Sequence, residues 1–182
     1  MTAGAQDHAG KDAKSRKAVD LIRRGQLNEA EEIYRDLINA EGENPDFYSN
    51  LAAICGMQGR FSESIQLLRR SIELKPDNPD AHNNLGLAYQ ETGDLTAAII
   101  AYNKVLELRT NHPDAHRNLG TALQAQGSVA AAITSYKKAL AIKPCYPEAL
   151  NSLGIALQAH GDISAAIKSY RKALEINPNY PE

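Results

Sequence analysis

The sequence has no long apolar run and few of the features that direct a chain into or across a membrane. Its 182 residues include two cysteines and no Trp. A transmembrane helix needs about 20 consecutive apolar residues, and no segment approaches that length. Residues 1–17 also lack the apolar run of about 7 to 15 residues that a secretory signal requires. We therefore predict a cytoplasmic protein that does not insert into membranes.

Positive charge is not in excess either. The chain has 20 Lys and Arg against 22 Asp and Glu, which gives a formal net charge of −2. No surplus of cations is available to neutralise a phosphate backbone, so no nucleic-acid partner is predicted. The hydrophobic content of 43% is nevertheless that of a folded protein, which excludes a disordered chain.

Residues that could form a catalytic or metal site are also scarce. Cys55 and Cys145 lie far apart in the sequence and suggest neither a disulfide framework nor a metal site. His112 and His116 have a zinc-binding spacing, but Pro113 places His112 before the helix, and we expect His116 to pack between helices. No phosphate-binding loop, paired carboxylate or catalytic triad is visible. We predict no enzymatic activity, no metal and no cofactor.

A period of 34 residues fills most of the chain. The sequence aligns with itself without a gap over five segments, which are 11–44, 45–78, 79–112, 113–146 and 147–180. Residues 1–10 stand outside and are predicted to be a flexible N-terminal segment, while residues 181–182 are the start of a truncated sixth unit. A period of this length is typical of helical solenoids.

Each unit is predicted to form two antiparallel helices. Apolar residues at helical spacing lie on both sides of a glycine that suits the left-handed backbone of a turn. A proline opens every unit after the first, and Asn44 and Asn78 precede two of these prolines as N-caps. Small residues such as Gly120 and Ala132 recur where the helices approach, and tyrosines such as Tyr136 are expected to fill space between units. Because one hairpin cannot bury both of its apolar faces, the units must stack.

At these positions residues 11–180 resemble the tetratricopeptide repeat family. The segments PDAHNNLG and PDAHRNLG are most similar to the superhelical repeats of O-GlcNAc transferases and related bacterial proteins. The resemblance implies an all-α, right-handed superhelical solenoid of five helix-turn-helix hairpins, whose first helices line a concave groove. It also implies a scaffold that binds a protein or an extended peptide, because asparagines in such repeats hold the backbone of substrate proteins.

The resemblance directs the sixth residue of each unit toward the groove. An asparagine amide can pair with both the C=O and the N–H of a peptide unit. Packed helices lie about 8 to 10 Å apart and an extended chain advances about 3.3 Å per residue, so one asparagine would meet every third ligand residue. The alternative is that these are ordinary polar residues on a wetted helix face. The candidate ladder comprises Asn50, Asn84, Asn118 and Ser152, with Asn151 beside the last.

Two further polar rows accompany this ladder. The twelfth position carries Gln90, Gln124 and Gln158, and the second position is acidic, as in Asp80 and Asp114. The acidic row has a simpler explanation, because an acid in the first turn of a helix is favoured by the macrodipole. Clamping of an acidic tail, as in some chaperone-binding members of the family, is not expected, since only Arg16, Arg23 and Arg117 would supply positive charge.

The two ends of the stack are predicted to differ. Lys14, Arg16 and Lys17 give the first helix a charged face, which suits an N-terminal cap. The last unit lacks a polar capping helix, so we expect apolar surface there that reflects either truncation or self-association. Two alternatives to a free-standing scaffold therefore remain: a substrate-recruiting arm of a larger enzyme such as a glycosyltransferase, whose catalytic domain would follow residue 182, and a self-associating structural module.

Overall fold

The computed structural model describes residues 3–178, with the side chains of residues 3–11 and 41 excepted. Within that range the chain forms ten α-helices and no strand. The helices pair into helix-turn-helix hairpins, so the predicted all-α solenoid class is confirmed. None of the helices described there is long and apolar enough to cross a bilayer. The chain divides into two compact units, one ending at Ala88 and the other beginning at Tyr89.

Within the first unit, consecutive helices pack on one another from α1 to α4. A fifth helix begins in this unit and ends in the next. The five helices are α1 (Ala3–Arg23), α2 (Leu27–Glu41), α3 (Pro45–Met57), α4 (Phe61–Leu74) and α5 (Pro79–Glu91).

The second unit repeats this arrangement, with each helix from α6 onward packed on its successor. The helices α7 and α9 are also in contact, which places the first helices of two successive hairpins side by side. The five helices are α6 (Leu95–Leu108), α7 (Pro113–Ala125), α8 (Val129–Ile142), α9 (Pro147–His160) and α10 (Ile163–Ile176).

Helix ends lie where proline, asparagine and glycine predict them. The helices α3, α5, α7 and α9 each begin at a proline, whose missing N–H is not needed in the first turn. The predicted N-caps are confirmed, since the Asn44 side chain accepts a hydrogen bond from the backbone N–H of Asp46 at 3.0 Å and Asn78 accepts one from Ala81 at 3.2 Å. Gly161 ends α9 with a left-handed φ of 92°, which favours glycine over any residue with a Cβ atom.

The first helix begins eight residues before its repeat, which starts at residue 11. It begins at Ala3, so the segment predicted to be flexible and to lie outside the repeats is helical over residues 3–10. A helix extends at little cost once it has nucleated, and Ala3, Ala5 and Ala9 favour the extension although Gly4 and Gly10 oppose it. Lys14 and Lys17 are exposed on this helix, as a charged cap requires. The predicted start of a sixth unit lies outside the described residues.

A tyrosine ring lying over a glycine closes the hairpins of the second unit. The Tyr136 ring, only 1% exposed, lies on Gly120 so closely that a Cβ atom there would be 2.6 Å from Cε1 of the ring. Tyr170 lies on Gly154 in the same way, with a corresponding distance of 2.4 Å. We predicted that these rings fill space between units. The cluster of Tyr136 with Leu153 and Leu157 of α9 agrees with this prediction, and both rings also fill the gap inside their own hairpin.

The core of the first unit is built from apolar side chains of α1, α2 and α3. Tyr34 and Phe47 have ring centroids 6.2 Å apart and pack with Leu51 and Ile54. Cys55 belongs to the same cluster, as predicted, and burial raises the pKa of its thiol to about 11. This thiol is therefore a packing group and not a nucleophile.

A ring of four charged side chains joins α2 to α4 and was not foreseen from the sequence. Arg35 contacts Glu31 at 2.7 Å and Glu63 at 2.6 Å, and Arg60 contacts both of the same carboxylates. Burial opposes ionisation of Glu31, but the hydrogen bonds from Arg35 and Arg60 outweigh it and hold the pKa of that carboxyl below its usual value. The four groups therefore link two successive second helices.

The glycine under Tyr136 gives a direct test of this packing. We expect Gly120→Ala to lower the free energy of unfolding by about 1 to 3 kcal/mol, because the buried ring must move to admit the methyl group. Urea denaturation followed by circular dichroism measures the change.

Gly56→Ala is the matched control, since Gly56 is also helical but a Cβ atom there would meet only the Ser64 hydroxyl oxygen at 3.8 Å. We expect this variant to be unchanged or stabilised by up to about 1 kcal/mol through helix propensity alone. Equal effects of the two substitutions would show that the ring does not require the glycine.

Candidate functional site

The residues of the predicted ladder differ in their exposure. Asn50, Asn84, Asn151 and Ser152 are half-buried on the first helices of their hairpins. Asn118 on α7 is only 5% exposed and already has interactions within the chain. The ladder residues therefore do not present equal amide surfaces to a ligand, and their role in binding stays a prediction.

Two of these side chains approach the tyrosine of the preceding hairpin. Burial raises the pKa of Tyr34, and Ser15 and Asn50, which lie near its hydroxyl, oppose that rise. Among the residues that the structure describes, none forms a hydrogen bond of good geometry with this hydroxyl, so the Asn50 contact is a loose one. Ser152 similarly lies near the Tyr136 hydroxyl, while its own hydroxyl donates to the backbone oxygen of Glu148 at 2.9 Å.

The glutamines of the twelfth position are bound to tyrosines of their own hairpins. The hydroxyl of Tyr136 donates to Oε1 of Gln124 at 3.0 Å, and that of Tyr170 donates to Gln158 at 3.2 Å. The pair formed by Tyr102 and Gln90 is longer, at 3.4 Å. Each glutamine thus commits one of the two lone pairs of its carbonyl oxygen inside the scaffold, which leaves the second lone pair and its NH₂ group for other partners.

A sequence signal for this role was present but was not used. Glutamine occupies the twelfth position only in the third, fourth and fifth 34-residue repeats. These repeats also have glycine at the eighth position and tyrosine at the twenty-fourth. The second repeat, residues 45–78, has none of these three and carries Ala52, Gly56 and Leu68 instead. In the fourth and fifth repeats the glycine admits the ring and the glutamine accepts its hydroxyl, whereas the first repeat has Tyr34 with Ala18 and Ile22 at the other two positions.

A second polar cluster connects α7 to the N-terminus of α9. The hydroxyl of Tyr146 donates to Oδ1 of Asp114 at 2.5 Å and accepts a hydrogen bond from Nε of Arg117 at 2.9 Å. Nζ of Lys143 lies 4.2 Å from the centroid of the Tyr146 ring. Burial, assisted by the bond to Asp114, raises the pKa of Tyr146 to about 12, so its hydroxyl is neutral at physiological pH. Sequence reasoning named Asp114 and Arg117 but missed Tyr146, which holds them together.

The acidic row lies in the first turns of its helices. Asp46, Asp80, Asp114 and Glu148 are exposed there on α3, α5, α7 and α9. This placement agrees with stabilisation by the helix dipole. Asp114 alone among them has the tyrosine contact described above as well.

The two histidines with zinc-like spacing have separate structural roles. Nδ1 of His112 accepts a hydrogen bond from the backbone N–H of Ala115 at 3.1 Å and caps α7. His116 is buried, in agreement with the predicted packing role, and burial lowers its pKa below the usual value. The cap and the burial keep the two rings from acting as a pair of metal ligands.

The ninth position supplies the apolar part of the candidate surface. Leu87 on α5 is 38% exposed and Ile155 on α9 is 45% exposed. Thr121, at the same position of α7, donates its hydroxyl to the backbone oxygen of Arg117 at 3.1 Å. The first helices of each unit therefore carry a mixture of apolar, amide and charged side chains.

Comparisons with known proteins agree with this architecture. Models of the TPR repeat and of the tetratricopeptide repeat match residues 54–93, 77–144 and 147–180. Curated protein sequences contain no match.

Solved structures give whole-length similarities. One crystal structure of MamA is 27% identical, with a TM-score of 0.81, and the match covers 88% of this chain and 94% of that one. A second MamA structure is 26% identical, with a TM-score of 0.80 and 92% of each chain covered. A MamA structure from Desulfovibrio magneticus RS-1 is 16% identical, covers 94% of this chain and 97% of that one, and shares the fold with a TM-score of 0.84.

Proposed function

The chain belongs to the tetratricopeptide repeat family, and we propose that it is a protein-interaction scaffold whose first helices bind an extended segment of a partner. Repeats of this kind bury their faces against one another and leave long rows of side chains for recognition. The same binding step would serve a recruiting arm of a larger enzyme, so both alternatives share one mechanism.

The observation that carries this proposal is the position of the amide groups. Asn50 and Asn84 are partly exposed on first helices of the first unit, and Asn151 is partly exposed on α9 of the second. A partly exposed amide can hydrogen-bond with both polar groups of a ligand peptide unit. Because such contacts ignore the ligand side chains, binding is tolerant of ligand sequence.

The remaining predicted residues take supporting roles. Asn118 is buried, so in this proposal it supports the binding surface from beneath and has little contact with the ligand. Ser152 lies beside Asn151 in the sequence. The glutamines of the twelfth position offer mainly their NH₂ groups, because a tyrosine hydroxyl already binds each carbonyl oxygen. Asp80 and Asp114 are exposed at the edge of the same helices and add negative charge there.

We expect the triple variant Asn50→Ala, Asn84→Ala, Asn151→Ala to lose peptide binding while remaining folded. The full chain is first used to select binders from a phage-displayed random dodecapeptide library. Fluorescence anisotropy then measures the affinity of one selected peptide, and the loss of three amide contacts should weaken it at least about thirtyfold. Circular dichroism reports the fold.

The matched control changes Asn103 and Asn111, which are exposed outside the first helices, to alanine. Its affinity should equal that of the wild type. In a second arm the selected peptide is methylated at single backbone nitrogens, which removes the N–H that an amide reads. Unchanged binding of the triple variant, or indifference to every methylation, would contradict backbone recognition.

Self-association is a second candidate function, which we propose from the exposed apolar side chains of α10. Ile167 and Leu174 are exposed on that helix. The residues at the equivalent positions of α8, Ile133 and Leu140, instead pack in one cluster with Leu153 of α9. The α10 surface has the composition of a helix-packing face, and a second copy of the chain would cover it.

We expect concentration-dependent growth of the particle mass in light scattering, and we expect Ile167→Lys to suppress it. Ile100→Lys is the control, because Ile100 is 66% exposed on α6 and its charge would leave the α10 surface intact. A strict monomer at all concentrations, or equal suppression by both variants, would eliminate this candidate.

A further inference from the structure

We propose that Arg117 selects an acidic side chain in the bound segment, while Ile155 receives an apolar side chain about three residues away. The inference deepens the proposed function and rests on it. It concerns only α7, α9 and the connection between α8 and α9, all within the second unit.

Arg117 is held in place before any ligand arrives. Its Nε donates to the Tyr146 hydroxyl at 2.9 Å, and its guanidinium carbon lies 5.9 Å from the centroid of the same ring. A guanidinium has five N–H donors in a rigid fork, so the Nε bond leaves the two terminal NH₂ groups for further contacts. A fork that is already oriented loses less side-chain entropy when it binds a carboxylate.

The anchor for this arginine is itself rigid. Tyr146 is only 6% exposed and directly precedes α9, which packs against α7. Its hydroxyl donates to Asp114, so one carboxylate oxygen of Asp114 is occupied by the tyrosine. The tyrosine therefore holds the arginine and the aspartate in place through one oxygen atom.

The charges of the cluster favour an acidic ligand over a basic one. Arg117 and Lys143 each contribute a positive charge and Asp114 contributes one negative charge, so the group is net positive in a chain whose formal net charge is −2. Lys143 lies over the ring of Tyr146, close to the same hydroxyl network. A ligand carboxylate would complete a bidentate pair with the guanidinium, which is the strongest hydrogen-bonded geometry available to arginine.

The residue that would receive the apolar side chain of the ligand lies on the neighbouring helix α9. Ile155 is 45% exposed on α9, which contacts α7 directly. Neighbouring helices pack about 8 to 10 Å apart, and an extended peptide covers that distance in about three residues. The preferred ligand is therefore an extended segment with an acidic and an apolar residue separated by two others.

The probe is the same phage-displayed random dodecapeptide library, panned on the full chain. We expect the selected peptides to be enriched in Asp or Glu three positions from an apolar residue. One selected peptide is then synthesised with Glu and with Gln at the acidic position. Fluorescence anisotropy should show that Gln weakens binding to the wild type about tenfold or more, and high salt should reduce this difference.

Variants of the chain separate the cluster from general charge effects. Arg117→Gln should bind the Glu and Gln peptides equally, and Asp114→Asn should bind the Glu peptide more tightly than the wild type does. Lys137→Gln removes an exposed cation from α8 and should keep the full Glu preference. Ile155→Ser should weaken both peptides while preserving their ratio.

Arg117→Lys keeps the positive charge but lacks the forked N–H donors of the guanidinium. It is used in place of Arg117→Gln if circular dichroism shows that Arg117→Gln does not fold. It should show a reduced preference for Glu. An undiminished Glu preference after either change at Arg117 would overturn the inference. Selected peptides without acidic enrichment would overturn it as well but leave the proposed function standing, whereas failure to select any peptide would contradict both.

Discussion

The closure of a hairpin by a tyrosine on a glycine is the constraint on which the second unit depends. The ring of Tyr136 takes the place that a side chain on Gly120 would occupy, and its hydroxyl then reaches Gln124 one turn further along α7. Shape and polarity are satisfied together, because the ring is buried while its one polar atom finds an acceptor. The same three residue types recur in the third, fourth and fifth repeats.

This constraint decides which side chains remain for a partner. A glutamine that accepts a tyrosine hydroxyl has its carbonyl oxygen oriented by the scaffold and one of its two lone pairs occupied, so the twelfth position has a structural role before any ligand binds. The proposed function therefore assigns recognition to the half-buried amides Asn50, Asn84 and Asn151, and the further inference adds Arg117 and Ile155 on the contacting helices α7 and α9. In this proposal the amides bind the ligand backbone and tolerate many ligand sequences, while the oriented arginine adds selectivity.

The sequence predicted the fold well because the helix ends depend on local chemistry. Proline at a first turn, Asn44 at an N-cap and Gly161 at a C-cap act on backbone groups within a few residues of themselves. The 34-residue period and a few residue types are therefore sufficient to predict the helix ends. The site was less predictable, since it depends on side chains that meet across helices. Neither the contact of Tyr146 with Asp114 nor the ring of Arg35 and its partners follows from spacing, because rotamers and helix packing decide them.

A double-mutant cycle on Tyr136 and Gln124 tests the structural role of the tyrosine–glutamine pair most directly. Urea denaturation would give the free energies of unfolding of the wild type, Tyr136→Phe, Gln124→Met and the double variant. We expect a coupling energy of about 1 kcal/mol, as for a hydrogen bond that both side chains share in the folded state. Additive effects, with no coupling beyond about 0.3 kcal/mol, would show that the tyrosine does not hold Gln124. The whole amide of Gln124 would then be available to a ligand, as expected from the sequence.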